Sequence, residues 1–364
     1  MSVSYGGDSI TFADGSTIAS GFTGFKNRII NGAMVIDQRN AGASVTASAD
    51  GYCLDRWKTY LAGGGVMTAQ QVSTSPAGFI NSALFTVTTA DSSIAAGDAY
   101  GVQQIVEGLN FADLGWGTAN AQAITISFWV RSSVTGTYTV SVRNSSDARS
   151  YLATYAINTA NTFEQKTITI AGDTTGTWLT TNGVGARLWF DFGAGSTYTG
   201  SAGAWSAGTL THAAGSTNWI ATNGATFYIT GVQLERGSTA SSFEYRPYGT
   251  ELALCQRYFW MIATGNNKSV GSAYYYNTTT VHMTIQYPVT MRTVPTLYQS
   301  TGTGYYTFER NGGSDTFNSL SLGSSTTDVA SIPFNNTEVS GTAGQAGNVF
   351  LSNASAYVGL SAEL

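Results

Sequence analysis

The chain has 364 residues, of which 42% are hydrophobic, 12% aromatic and 10% charged, with 43 glycines, 5 prolines and a formal net charge of −5. So glycine-rich and lightly charged a composition suits short strands joined by tight turns, and it excludes a helical bundle or a disordered tail. Its 16 Lys and Arg form no basic run, so there is no electrostatic footprint for nucleic acid; a surface solvated by hydroxyls and amides suits polysaccharide instead.

Residues 1–26 are glycine-rich and too poor in apolar mass to fold alone, so they need a partner surface. The start "MSVSYGGDSITFADGST" lacks the basic and apolar regions of a secretory signal. No run approaches the roughly 20 apolar residues of a bilayer span. Completion in a reducing cytoplasm, without membrane insertion, is expected. Cys53 and Cys255 belong to no metal or redox spacing and are expected to be two separate buried thiols.

Strand patterns then dominate. In "AITISFWVRS" Ile124, Ile126, Phe128 and Val130 alternate with Thr125, Ser127, Trp129 and Arg131. "GTYTVSVRN" repeats the pattern, with Tyr138, Val140 and Val142 opposed to Thr139, Ser141 and Arg143. "SVTG" between the two reads as a turn, which predicts a hairpin. "QKTITIAG", "ARLWFDFGAG" and "ATFYITGVQLE" add strands of similar length. Together they predict an antiparallel jelly-roll sandwich over residues 27–248. "GTELALCQRYF" alone has helical spacing; Thr250 can cap its start and Glu251 lies in the first turn. A short hinge helix is expected there, followed by a second, smaller β-sandwich that completes residues 249–364, with strands in "VHMTIQYPV", "YYTFER" and "AYVGLSAEL". The fold class is therefore all-β.

Catalytic signals are sparse. The only histidines, His212 and His282, are expected to be structural, and the glycines of "GTGTGYY" and "GVGARL" precede no helix of the kind that cradles phosphate. Nothing marks two carboxylates as a glycoside-cleaving pair. The polar strand faces say more: Trp129, Arg131 and Arg143, and likewise Arg187, Trp189 and Asp191, project away from the apolar faces. Rings beside guanidinium and carboxylate groups suit a pyranose, stacking on its apolar face and gripping its hydroxyls. A contact with another subunit or with a second sheet would use the same residues. Tyr275 and Tyr305 join this candidate set from a distal aromatic concentration that also suits a core or a subunit interface. Glu235, Arg236, Glu244, Arg246, Glu251 and Arg257 crowd the join between the two sandwiches and are expected to form a structural lock of Arg–carboxylate pairs.

"NRIINGAMVIDQRNAG" (27–42), "GYCLDRWKTY" (51–60), "QQIVEGLNFADLGWGT" (103–118), "ISFWVRSSVTGTYTVSVRN" (126–144) and "ITGVQLERGSTASSFEYRPYGTELALCQRYF" (229–259) occur in an order that resembles phage tail-fibre and receptor-binding proteins with a carbohydrate-binding-module-like jelly roll. "YPVTMRTVPT" (287–296) is similar to the entry of their distal β-domain, and "ITFADGSTIAS" (10–20) to segments near fibre attachment points. The resemblance implies a non-enzymatic virion protein assembled in the host cytoplasm as a homotrimer. It would be held to other tail or head proteins by its N-terminus and would adhere to host-surface polysaccharide. It implies no cofactor, with structural calcium at Asp55 or Glu235 as the one metal to look for, and it transfers no individual sugar-binding residue. A polysaccharide depolymerase and a structural decoration protein are the alternatives.

Overall fold

Backbone amides along an alternating strand must find partners on both sides, and the apolar residues between them must find a second sheet. The computed structural model describes residues 25–335 and 338–364 together with three short strands, Ser4–Gly6, Ser9–Thr11 and Thr17–Ala19. The rest of the segment expected to attach the chain to a virion lies outside the described residues.

Two antiparallel sheets form the first sandwich. One has six strands in the spatial order Glu164–Ile170, Ile124–Ser132, Thr226–Arg236, Ser82–Thr89, Val66–Val72 and Val45–Thr46. The other has seven: Trp205–Ala207, Arg149–Ile157, Gly136–Asn144, Val184–Ala194, Ala99–Glu107, Trp57–Ala62 and Asp50–Leu54. Ile126, Phe128 and Val130 of the first face Val140, Val142, Leu188 and Phe190 of the second in one buried core. The Phe128 and Phe190 rings cross at 5.0 Å, nearly perpendicular.

The hairpin expected from 124 to 144 does not exist. Ile124–Ser132 pairs with Glu164–Ile170 and Thr226–Arg236, whereas Gly136–Asn144 pairs with Arg149–Ile157 and Val184–Ala194. The "SVTG" turn carries the chain from one sheet to the other, and both apolar faces then meet across the core instead of lying side by side.

The helix Tyr248–Gln256 begins two residues before Thr250, with Pro247 at its N-cap and no side-chain cap. Proline supplies a suitable φ where no amide partner is needed. Cys255 and Tyr258 pack with Ile30 and Ile36, and both cysteines are buried and free. Beyond the helix, a three-stranded sheet (Phe259–Thr264, Tyr357–Ser361, Thr296–Gln299) faces a six-stranded one. The latter runs Gly313–Phe317, Tyr306–Arg310, Ala346–Leu351, Lys268–Tyr275, Thr280–Gln286, Val329–Asn335. Tyr275, Met283, Phe308, Phe317 and Val358 fill the space between. The protein is all-β: a jelly-roll sandwich, a short helix and a second, smaller sandwich.

Candidate functional site

Along Val184–Ala194 the side chains of Leu188, Phe190 and Phe192 enter the core, so Arg187, Trp189 and Asp191 stand on the opposite face of the seven-stranded sheet. Gly101, directly across from Asp191 on the neighbouring strand, makes room there: a Cβ at that position would lie 2.4 Å from Trp189 Cε2. The next strand adds Lys58 and Tyr60, whose ring meets the Trp189 ring edge-on at 5.7 Å. From the other side Arg143 sets its guanidinium 5.1 Å from the Trp189 ring centroid. With Gln103 below and Tyr198, Thr209 and Thr211 from the loops above, these residues enclose a cleft of about 320 Å³.

Arg143 and Arg187 are direct cross-strand partners, an arrangement that destabilises a sheet unless an anion intervenes. Asp147, held at a φ of 55° in the turn that follows, supplies one. Its Oδ1 lies 3.0 Å from Arg143 Nη1 and 3.4 Å from Arg187 Nε. One carboxylate therefore serves two guanidinium groups. Arg143 also donates to Gln103 Oε1 at 3.4 Å, yet its Nε is buried without a hydrogen-bond partner in the protein, as is Thr211 Oγ1. Burial lowers the Arg143 pKa to about 10, with Asp147 opposing the shift. A buried donor left unpaired costs about 1–3 kcal/mol, which a ligand acceptor can recover. Tyr60 and Tyr198 stand half-buried at the cleft, and the Tyr60 phenol is held above its usual pKa by burial and then by Tyr198. The two lining carboxylates, Asp50 and Asp147, are both paired with cations, Asp50 with Lys58 at 2.9 Å. The arrangement can grip an oxygen-rich ligand and stack a ring against it.

The structure brings together only part of the expected saccharide set. Arg143, Arg187 and Trp189 line the cleft. Asp191 does not: it is 1% exposed, accepting from or donating to His212 Nδ1 at 2.7 Å. Its pKa is raised by burial, against the lowering effect of His212. Trp129 and Arg131 belong to the six-stranded sheet, on its outer face, because their strand lies across the core from the other three. There Arg131 lies over the Tyr228 ring at 4.8 Å and Trp129 abuts Gly231. Tyr275 is a fully buried core residue of the distal sandwich, its hydroxyl donating to Asp315, and Tyr305 packs against that core. The exposed rings there are Tyr274 and Tyr276, which flank His282.

Lys58, Tyr60, Asp147, Tyr198 and Thr211 were not among the sequence candidates. For Lys58 and Tyr60 the signal was available, since "WKTYLA" alternates; Asp147, Tyr198 and Thr211 come from turns and loops, where no periodicity points inward.

Of the charged residues at the join, Arg246 pairs with Glu244 and Glu251, each at 3.2 Å, and donates to the carbonyls of Asn27 and Ile29. Arg257 instead reaches back to Glu107, at 2.6 and 3.0 Å. Glu235 accepts from Ser241 and Gln233, and Arg236 donates to Gln122. The Asp55 carboxylate accepts from the backbone and side-chain amides of Gln38. Among the described residues no three His, Cys, Asp or Glu side chains gather into a metal-holding group. A second hollow, of about 240 Å³ beside Arg246, is walled by Phe79, Phe243 and Tyr245, which pack on one another, and its carboxylates are already engaged by Arg246.

No family model and no curated protein matches the chain. Distant likenesses to solved structures exist. The enzymatically active domain of bacteriophage CBA120 tailspike protein 4 is 12% identical over 58% of this chain, at a TM-score of 0.31, and this chain spans only 21% of that one. The tandem CBM22-1-CBM22-2 domain of Paenibacillus barcinonensis Xyn10C is 10% identical over 89% of this chain and 99% of its own, at 0.28. A family 11 carbohydrate-binding module from Clostridium thermocellum, in complex with a mixed-linked β-1,3-1,4 tetrasaccharide, is 10% identical over 56% of this chain and 98% of its own, at 0.27.

Proposed function

We propose that this protein is a non-enzymatic, homotrimeric adhesin of a phage virion that binds host-surface polysaccharide through the cleft around Trp189. The observation that carries the binding role is the set of buried donors without protein partners, Arg143 Nε and Thr211 Oγ1, beside the half-buried rings of Tyr60 and Tyr198. Hydroxyl oxygens satisfy such donors, and a pyranose face stacks on such rings. Engagement of Asp50 and Asp147 by cations favours holding over cleavage, because among the described residues the cleft offers no unpaired carboxyl to serve as the general acid. The virion setting rests on the resemblance of the segments between 27 and 260. Three copies per fibre would multiply a weak single-site affinity through effective concentration.

The test is a glycan array probed with the full chain, followed by competition with phage adsorption to host cells. Binding that Tyr60→Ala weakens, with adsorption blocked by added protein, is the expected result. Light scattering should report about three times 38.2 kDa. Release of reducing ends from capsule or lipopolysaccharide would turn the reading into a depolymerase. Absence of any adsorption or glycan binding would leave a decoration protein.

A further inference from the structure

The cleft has a charge imbalance that a neutral sugar does not require. Lys58, Arg143 and Arg187 line it against Asp50 and Asp147, so three cations face two anions in a chain whose net charge is −5. Asp191, the next acid below, is absorbed by its contact with His212 and lies off the lining. Among the described residues no other carboxylate lines the cleft. The two arginines share Asp147, and Arg143, 5% exposed, keeps an unpaired Nε. A guanidinium pair with one shared counterion, and with the Nε of each arginine lacking a hydrogen-bond partner, has donors to spare, and carboxylate is the acceptor whose geometry fits them.

Resting on the saccharide-binding reading above, we propose that the ligand is an acidic saccharide, a uronate or nonulosonate residue whose carboxylate is received between Arg143 and Arg187 while its ring lies against Tyr60. The carboxylate restores charge balance across the cross-strand arginines, and the hydroxyls take Thr211 and Lys58. Neutral sugars can still enter the cleft, but they leave the two guanidinium groups sharing one anion.

The experiment measures binding of the full chain, by titration calorimetry, to a panel of uronate- and nonulosonate-containing oligosaccharides, each beside its carboxyl-reduced counterpart. Charge-assisted hydrogen bonds are about twice as strong as neutral ones, so the acidic form of at least one pair should bind about ten-fold or more tightly than the reduced form, with a preference that falls as salt is raised. Arg187→Gln should remove the preference and leave residual binding to the reduced sugar. Equal affinity for acidic and reduced forms overturns this inference and leaves the saccharide site standing. Failure of every acidic and neutral glycan to bind overturns both. The acidic-against-reduced comparison uses the unaltered protein, so it holds even if an arginine variant misfolds.

Discussion

Asp55 shows what burial does to a single side chain. It is 1% exposed, and burial raises its pKa to about 6, against the lowering effects of Arg39 and Gln38. Its unfolded value is near 3.8, so between about pH 4 and 6 the folded chain holds a proton that the unfolded chain has released. Stability attributable to this group therefore falls as pH rises through that window and levels off above it, a difference of about 2–3 kcal/mol by linkage. Asp55→Asn should flatten that part of the profile, read as urea midpoints from pH 4 to 7. Parallel profiles for the two proteins would refute the assignment. From sequence Asp55 stood out only as a place to look for calcium, and neither its buried proton nor the role of Gly101 was legible: Asp55 lies in the turn between Asp50–Leu54 and Trp57–Ala62, and the indole that Gly101 admits belongs to a strand more than eighty residues on. Arg187 and Trp189 were legible, because alternation alone places them away from the core.

At the scale of the element, period two is plainest where one face of a strand is exposed; where both faces are covered it survives only if the two faces differ in residue type, as along Val184–Ala194. Thr280–Gln286 and Glu164–Ile170 alternate as expected. Ala99–Glu107 is buried at all nine positions, so its sequence carries no alternation to read. The false hairpin has a related cause: adjacent alternating strands look alike whether they pair within a sheet or face each other across a core, and only long-range register decides. The run Tyr274–Tyr276 offers a direct check. Tyr275 is wholly buried, with Arg310 5.1 Å from its ring centroid, while Tyr274 and Tyr276 are 46% and 63% exposed. Tyr275→Ala should cost about 3–5 kcal/mol, as for other large buried rings, and Tyr276→Ala should stay within about 0.5 kcal/mol. Equal losses in chemical denaturation would show that the strand's faces are assigned wrongly.

Across the whole molecule, the contact between the two sandwiches is built from charges far apart in sequence, which explains why crowding of charges at 235–257 revealed only part of it. Glu363, almost the last residue, pairs with the buried Arg56 and with Arg39 at 3.2 Å, both from the first sandwich. Arg292 of the second donates to the carbonyls of Ala362, Glu363 and Asn182. Arg257 and Tyr258 converge on Glu107. Arg56 is 1% exposed and stacks on Tyr258 at 3.6 Å, and Glu363 holds its pKa above the ordinary value despite the opposing effect of burial. Removing one partner of such a pair strands a buried charge at a cost of about 3–5 kcal/mol, whereas replacing both with apolar groups is often nearly neutral. Glu363→Gln should therefore split a single calorimetric unfolding transition into two, as the sandwiches lose their coupling, and Arg39→Met with Arg56→Met and Glu363→Leu, which leaves no member of the group alone, should largely restore the single one. If Glu363→Gln unfolds in one transition at the temperature of the unaltered protein, the coupling resides in the apolar contacts around Cys255 and Tyr258, and the buried ions serve only to fix the angle at which the two sandwiches meet.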